Sequence, residues 1–214
     1  TEARFDEGSG LWNLRTDRGD TLVARHFICS TGPLSQPRWP DIPGLAQFGG
    51  LKLHSARWDP QAPLAGKRVG VIGTGSTAVQ LVPPIAREAA SLHVFQRTPN
   101  WILPRLERRY FWFDRWLARF PPYAWLVRRG WVWFLELGRR GFQDGTLMRR
   151  FMLRWAARHR RVQVPDPALR AKFVPDYPLG CKRIIYANDY YPVFAQAAGR
   201  RAPAELVTEG IERI

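Results

Sequence analysis

Gly73-Thr74-Gly75-Ser76-Thr77-Ala78 is the stretch of this sequence whose residue types and spacing best fit a definite chemistry. The pattern G-x-G-x-x-A follows a short apolar run, 67–72, and opens a helical pattern that lasts to residue 89, so it reads as strand, tight turn and helix. In such a unit Gly73 allows the turn, Gly75 lets a pyrophosphate approach the backbone, and Ala78 lets the helix sit close on the strand. The unpaired N–H groups of the first helical turn then face the phosphates, and Ser76, Thr77 and Gln80 complete the candidate binding set. A second strand, 91–96, ends 21 residues past Gly75, close to where a carboxylate would meet the ribose of NAD. The tip is Gln96-Arg97-Thr98 instead. Arg97 can fork onto a 2'-phosphate and Thr98 can donate to it, so the residues favour NADP.

The elements that must position these groups extend in both directions. Runs at 3–6, 11–16 and 22–29 read as the short strands of a meander, separated by Gly8-Ser9-Gly10 and Asp17-Arg18-Gly19-Asp20. The last run, ending Phe27-Ile28-Cys29, enters Ser30-Thr31-Gly32-Pro33, where Thr31 and Gly32 would let a ligand approach the backbone. The Pro-rich stretch 33–43 reads as a linker.

Composition bounds the rest. With 45% hydrophobic and 24% charged residues the 214-residue chain is neither disordered nor collagen-like. Cys29 and Cys181 stand too far apart for a disulfide scaffold, zinc knuckle or dithiol centre, which makes a reducing, cytoplasmic compartment the expectation. No run approaches the ~20 apolar residues of a membrane span. Beginning at Thr1 and stopping at Ile214 in what reads as a strand, the chain is expected to be a piece of a longer protein.

The formal charge of +15 is uneven. Residues 101–161 hold 15 arginines against Glu107, Asp114, Glu136 and Asp144, together with seven of the ten tryptophans. Trp112, Phe113, Trp116, Leu117 and Phe120 form the apolar stripe of a helix with Asp114, Arg115 and Arg119 on its other face. Pro121 and Pro122 break it, a second helix is expected over 123–137, and glycines 138, 141 and 145 loosen the chain before a third stripe at Leu147, Met148, Phe151, Met152 and Trp155. The aromatic stripes either pack on one another or on a neighbouring domain, or form a basic, Trp-rich surface for anionic lipid or an acidic partner. No nucleic-acid-binding motif accompanies the charge.

Between linker and glycine turn, Phe48, Gly50, His54, Trp58 and Asp59 spell F-x-G-x-x-x-H-x-x-x-W-[PD]. This resembles the fingerprint of the type I Baeyer-Villiger monooxygenases; the flavin-containing and N-hydroxylating monooxygenases are similar but usually lack the Trp-Asp or Trp-Pro ending. Ser30-Thr31-Gly32-Pro33-Leu34-Ser35 is similar to that family's flavin-domain return strand, and Gln96-Arg97-Thr98-Pro99-Asn100-Trp101 to its 2'-phosphate loop. Tyr177-Pro178-Leu179-Gly180-Cys181-Lys182-Arg183 resembles the segment leading from a helical insert back to the active site.

The resemblance implies an α/β fold: a fragment of a two-dinucleotide-binding-domain flavoprotein with a Rossmann-like NADP domain, a partial FAD-domain β-meander and a helical insert. Its expected divisions are 1–36 for the FAD-domain piece, 37–66 for the linker, 67–104 for the NADP unit, 105–174 for the insert and 175–214 for the return of the NADP domain. It implies FAD and NADP as cofactors and a small-molecule ketone and O2 as substrates, with an ester or lactone as product. Lys182 would join Arg97 and Thr98 at the 2'-phosphate. Arg183 matches the active-site arginine, whose guanidinium stays charged at any working pH and would hold an oxyanion without surrendering a proton. From the residues alone an ion pair of Arg183 with Asp176 or Asp189 is the competing expectation. His54 and Trp58 are read as positioning the linker, a hinge role.

The family's first G-x-G-x-x-G, for the FAD pyrophosphate, and its active-site aspartate are expected upstream of Thr1, so this chain alone is expected not to turn over. Two alternatives remain open at the level of sequence: a flavin monooxygenase oxidising nitrogen or sulfur of small nucleophiles, and a non-catalytic basic module binding a membrane or an acidic partner.

Overall fold

In a computed structural model of the chain, residues 2–32, 36–195 and 203–214 are described. The chain divides into two compact units: Thr1–Pro40 with Ala56–Trp58, and Asp41–Ser55 with Asp59–Ile214.

In the smaller unit, β1 (Glu2–Asp6), β2 (Leu11–Arg15) and β3 (Thr21–Ala24) form an antiparallel meander in that order. Its first turn is closed by Asp6, whose carboxylate accepts from the Gly8 N–H at 3.0 Å and from the Ser9 hydroxyl at 2.7 Å. The Trp12 ring packs between Phe5 and Phe27, with centroids 5.3 and 5.4 Å away. The expected strand through Phe27-Ile28-Cys29 does not form: the sheet ends at β3, and without a ladder partner among the described residues the apolar run stays irregular and exposed. Pro33, Leu34 and Ser35 of the expected return strand lie outside the described residues.

In the larger unit β4 (Arg68–Ile72) leads through the glycine turn into α1 (Ser76–Glu88) and back to β5 (Ser91–Phe95). Both strands pair parallel, and β8 (Ala204–Val207) adds in parallel beyond β5. Val79, Val82 and Ile85 recur at helical spacing and bury one face of α1 in a core shared with Leu92, Val94 and Leu206. Pro83 and Pro84 sit inside the helix and remove two of its N–H donors. Pro83 is itself buried, so packing holds the helix through a break that local propensity would make. The strand expected at Ile214 does not form: β8 ends at Val207, and Ile214 is irregular and donates its N–H to the Pro43 carbonyl at 2.9 Å.

Between β5 and β8 the chain makes a long excursion. It opens with β6 (Ile102–Leu103), passes through α2 (Trp112–Leu117), α3 (Pro121–Arg139), α4 (Leu147–Gln163) and α5 (Pro167–Ala171), and returns as β7 (Ile185–Tyr186), which pairs parallel with β6. A second core of Trp101, Leu103, Met152, Ala156 and Leu179 fixes α4 against this pair.

Two expectations for the helices are overturned. Pro121 and Pro122 do more than end the preceding helix: they form the first turn of α3, where a missing N–H costs nothing, and α3 runs to Arg139. In α2 the aromatic stripe faces solvent, and the buried residue is Asp114. The Arg108 guanidinium meets its carboxylate at 2.6 and 2.8 Å and the Phe111 N–H donates to it at 2.9 Å, which holds the acid below its usual range. Asp114 is buried because it pairs with Arg108 and caps the helix start, and nothing among the described residues covers the tryptophan side.

Candidate functional site

The glycine turn begins where β4 runs out. Gly73 has φ of +105°, a conformation that a side chain strains, and donates its N–H to the Phe95 carbonyl at 3.0 Å. Gly75 is different: at φ −66° and ψ 179° its backbone suits any residue, and a Cβ there would touch nothing within 4 Å. Neither strain nor packing in this chain calls for glycine at 75. The space above it stays open, as a group lying directly on the backbone would require.

Gly75 is also the N-cap of α1, and it offers no side-chain cap. The first bond of the helix runs from the Val79 N–H to the Gly75 carbonyl, which leaves the N–H groups of Ser76, Thr77 and Ala78 without helical partners. No acidic residue stands in that turn, so the positive end of the helix dipole is unopposed. These groups fit a pyrophosphate. Gln80, expected among the ligands, donates its amide to the Ser76 carbonyl at 3.0 Å and so braces the turn.

The loop after β5 is fastened to this turn. Thr74 is buried and its hydroxyl donates to the Thr98 carbonyl at 3.1 Å. The Asn100 amide donates to the Thr74 carbonyl at 2.6 Å and to its hydroxyl at 3.3 Å. Gln96 is buried and donates to the Lys172 carbonyl at 2.7 Å, which leaves Arg97 as the exposed residue at the loop's start. Thr98 is half-buried.

The segment 177–183 reaches the same loop. The Tyr177 hydroxyl donates to the Pro99 carbonyl at 3.0 Å, and the Trp101 indole N–H donates to the Tyr177 carbonyl at 3.1 Å. Burial pushes the Tyr177 phenol upward, so it remains a donor. Beyond it the Cys181 N–H donates to the Pro178 carbonyl at 3.2 Å, closing a turn whose third residue, Gly180, has φ of +101° as a type II turn demands. That turn brings the Lys182 ammonium back to 4.5 Å from the centre of the Tyr177 ring. The structure thus joins the glycine turn, the Arg97–Thr98 loop and the Lys182 segment in one hydrogen-bonded assembly.

Arg183 is exposed just before β7, and neither Asp176 nor Asp189 pairs with it among the described residues. Cys29 and Cys181 are exposed thiols. In the smaller unit, Thr31 hydrogen-bonds the Cys29 thiol and draws it below its ordinary value, while Gly32 has φ of +70°. The fingerprint is divided, with Phe48, Gly50, His54 and Asp59 in the larger unit and Trp58 in the smaller. Within it the Phe48 ring occupies the space a side chain at Gly50 would need, and Asp59 accepts from the Gln61 N–H at 2.9 Å.

Sequence reasoning quoted Tyr177 and Asn100 without giving either a role. Their partners lie 77 and 26 positions away, and no local spacing signals a contact of that kind.

Comparison with known proteins places this geometry. The flavin-binding monooxygenase-like family matches residues 5–123. A Baeyer-Villiger monooxygenase of Streptomyces coelicolor is 45% identical over 95% of this chain and 38% of its own length. One from Pseudomonas aeruginosa is 39% identical over 98% of this chain and 39% of its own length. The chain therefore spans about two fifths of these curated relatives. An oxidized steroid monooxygenase bound to NADP superposes with a TM-score of 0.77 at 31% identity, covering 97% of this chain and 45% of that one. Matched through the meander, the fingerprint, the glycine turn and the first helix of the excursion, the chain belongs to the flavin-binding monooxygenase-like family.

Proposed function

We propose that this chain carries the nicotinamide-coenzyme region of an FAD- and NADPH-dependent monooxygenase that inserts one oxygen atom of O2 into a ketone, giving an ester or lactone. The observation that carries the reading is the uncapped start of α1 at Gly75, open above its backbone and tied through Thr74 to the loop that presents Arg97. The fingerprint at Phe48–Asp59 and the names of the relatives favour a ketone over an amine or sulfide as the oxygen acceptor.

In this reading Ser76, Thr77 and Ala78 donate backbone N–H groups to the pyrophosphate. Arg97 forks onto the 2'-phosphate, Thr98 donates to it, and Lys182 adds a second positive charge. Arg183 faces the reacting carbonyl and stabilises its developing oxyanion, where one lost donor typically costs about 3 kcal/mol. When bound, the coenzyme supplies hydride and the flavin supplies oxygen activation.

The test uses the complete polypeptide with FAD. With NADPH and a panel of cyclic and linear ketones, ester or lactone should form, and Arg183→Ala should still reduce flavin with NADPH while product falls at least a hundredfold. Oxide from amines or sulfides without ester from any ketone would establish the nitrogen- and sulfur-oxidising alternative. Ester at the normal rate from Arg183→Ala would remove that residue from the chemistry.

A second reading rests on α3. None of its 19 residues is buried, and Trp125, Trp131 and Trp133 are all more than half exposed. Arg128 and Arg139 share one side at helical spacing, and the Arg129 guanidinium lies over the Trp125 ring at 5.4 Å. Among the described residues no helix is long and apolar enough to cross a membrane. A basic, Trp-rich helix of this kind suits a peripheral contact with anionic lipid. The complete protein should float with vesicles containing phosphatidylglycerol and less so in high salt. No flotation at low salt would exclude the contact.

A further inference from the structure

We infer that Tyr177 is a positioning residue for coenzyme selectivity: it holds the Lys182 ammonium over its ring face beside the loop that carries Arg97 and Thr98. The inference rests on the NADPH reading above and adds a residue to it.

A lysine side chain is a flexible four-carbon stem carrying a compact charge, and left alone it samples many rotamers. Lys182 is exposed and makes no ion pair among the described residues, so no carboxylate fixes it. The ring of Tyr177 does, with the ammonium 4.5 Å from its centre, well within the range of cation–π attraction. The same ring is fixed at its far end. Its hydroxyl donates to the Pro99 carbonyl at 3.0 Å and lies 3.4 Å from the Asn100 side-chain oxygen, and Asn100 in turn holds Thr74.

The main chain is held as well. The Trp101 indole donates to the Tyr177 carbonyl, and Leu179 is buried in the second core beside Trp101, so the turn between Tyr177 and Lys182 is anchored on both sides. One side chain therefore bridges the residue after Thr98 to the ammonium expected at the 2'-phosphate. Ordering the ammonium before the coenzyme arrives removes an entropic cost from binding, and only a phosphorylated ribose gains from it.

The experiment compares KM and kcat for NADPH and NADH in the FAD-loaded complete protein. Lys182→Met should raise the KM for NADPH at least tenfold and leave NADH unchanged. Tyr177→Leu should raise the KM for NADPH about two- to fivefold, with kcat and both NADH constants within error. Tyr177→Phe, which keeps the ring, should retain most of the selectivity. In the Lys182→Met background, Tyr177→Leu should match Tyr177→Phe in selectivity, because both lose the hydroxyl bond to the loop and the action of the ring itself passes through the lysine. Should Tyr177→Leu fail to retain FAD, Tyr177→Met fills the space without a π face and is measured instead.

If Lys182→Met lowers selectivity and the ring-less Tyr177 variant does not, Tyr177 does not position the lysine. If the Tyr177 variant changes NADPH and NADH alike, or acts equally with and without Lys182, its role is structural and the inference fails. If Lys182→Met itself leaves selectivity intact, the assignment of Lys182 to the 2'-phosphate fails first.

Discussion

Thr74 donates its hydroxyl to the carbonyl of Thr98, 24 positions later, so the glycine turn and the loop that presents Arg97 are held as one body. A Rossmann-like unit needs both parts at fixed separation, because pyrophosphate and ribose belong to one molecule. Here the separation is set by side-chain bonds across the ends of β4 and β5.

Thr74→Val removes this bond with little change of shape. With Thr98 half-buried, the net worth of such a bond is about 0.5–1.5 kcal/mol, and about 1 kcal/mol lowers Tm by about 2–4 °C in a chain of this size. Calorimetry should show a fall of that order, and the KM for NADPH should rise, because the loop loses its tether.

Gly73 and Gly75 should separate folding from binding. Gly73→Ala places a side chain at φ +105° and should cost about 1 kcal/mol or more in stability. Gly75→Val adds no backbone strain and its Cβ meets no atom, so its cost should be limited to the few tenths to about 1 kcal/mol of a poorer N-cap residue. The same substitution should weaken NADPH binding more than tenfold, as read by fluorescence titration, by filling the space over the backbone. Normal NADPH affinity in Gly75→Val would remove the pyrophosphate from that position.

Arg97→Ala should raise the KM for NADPH about 10- to 100-fold, the usual worth of a charge-assisted bond, and leave NADH kinetics in place. Equal loss with both coenzymes would mean that Arg97 does not read the 2'-phosphate.

The β4–turn–α1–β5 unit was legible because its signals are local: a short apolar run, glycines at fixed offsets, a helical pattern, then a second strand ending in a basic tip. Elsewhere contacts between distant segments decide the structure. Phe27-Ile28-Cys29 has strand composition, yet a strand exists only with a ladder partner, and none lies beyond β3 among the described residues. The stripe of α2 has helical periodicity, but periodicity shows only which residues share a side, and no described segment covers that side. Pro83 and Pro84 would interrupt a free helix, and packing against β5 overrides them. The candidate site divides in the same way. Its glycines and Arg97 follow from position, whereas Tyr177 and Asn100 acquire their roles only when distant segments meet.

His159 supplies a pH dependence that no local pattern announces. Burial pushes its imidazole below the ordinary value of 6.5 and the nearby charge of Arg160 acts in the same direction, against a 2.9 Å bond to the Ala187 carbonyl. The unfolded chain therefore takes up a proton at a higher pH than the folded one. This contribution is complete above pH about 6.5 and is lost as acidification carries the solution down through the folded value. Melting curves across pH 5–8 should show Tm falling on the acid side, with a shallower fall in His159→Gln.

The placement of β8 bears on how this polypeptide can be made and varied. The third strand of the β4–β5–β8 sheet arrives only after the whole stretch from Phe95 to Ala204, so β5 emerges during synthesis with one edge bare while the helices are still being added. Loop closure depends weakly on length, and halving the excursion would recover only about 0.6 kcal/mol. Shortened or lengthened helices should therefore be tolerated by the sheet, provided that Trp101, Leu103 and Ile185 still meet where the detour leaves and rejoins it. The detour is a site where the length of the helices can drift through evolution, or be trimmed by design, without rebuilding the β4–turn–α1–β5 unit.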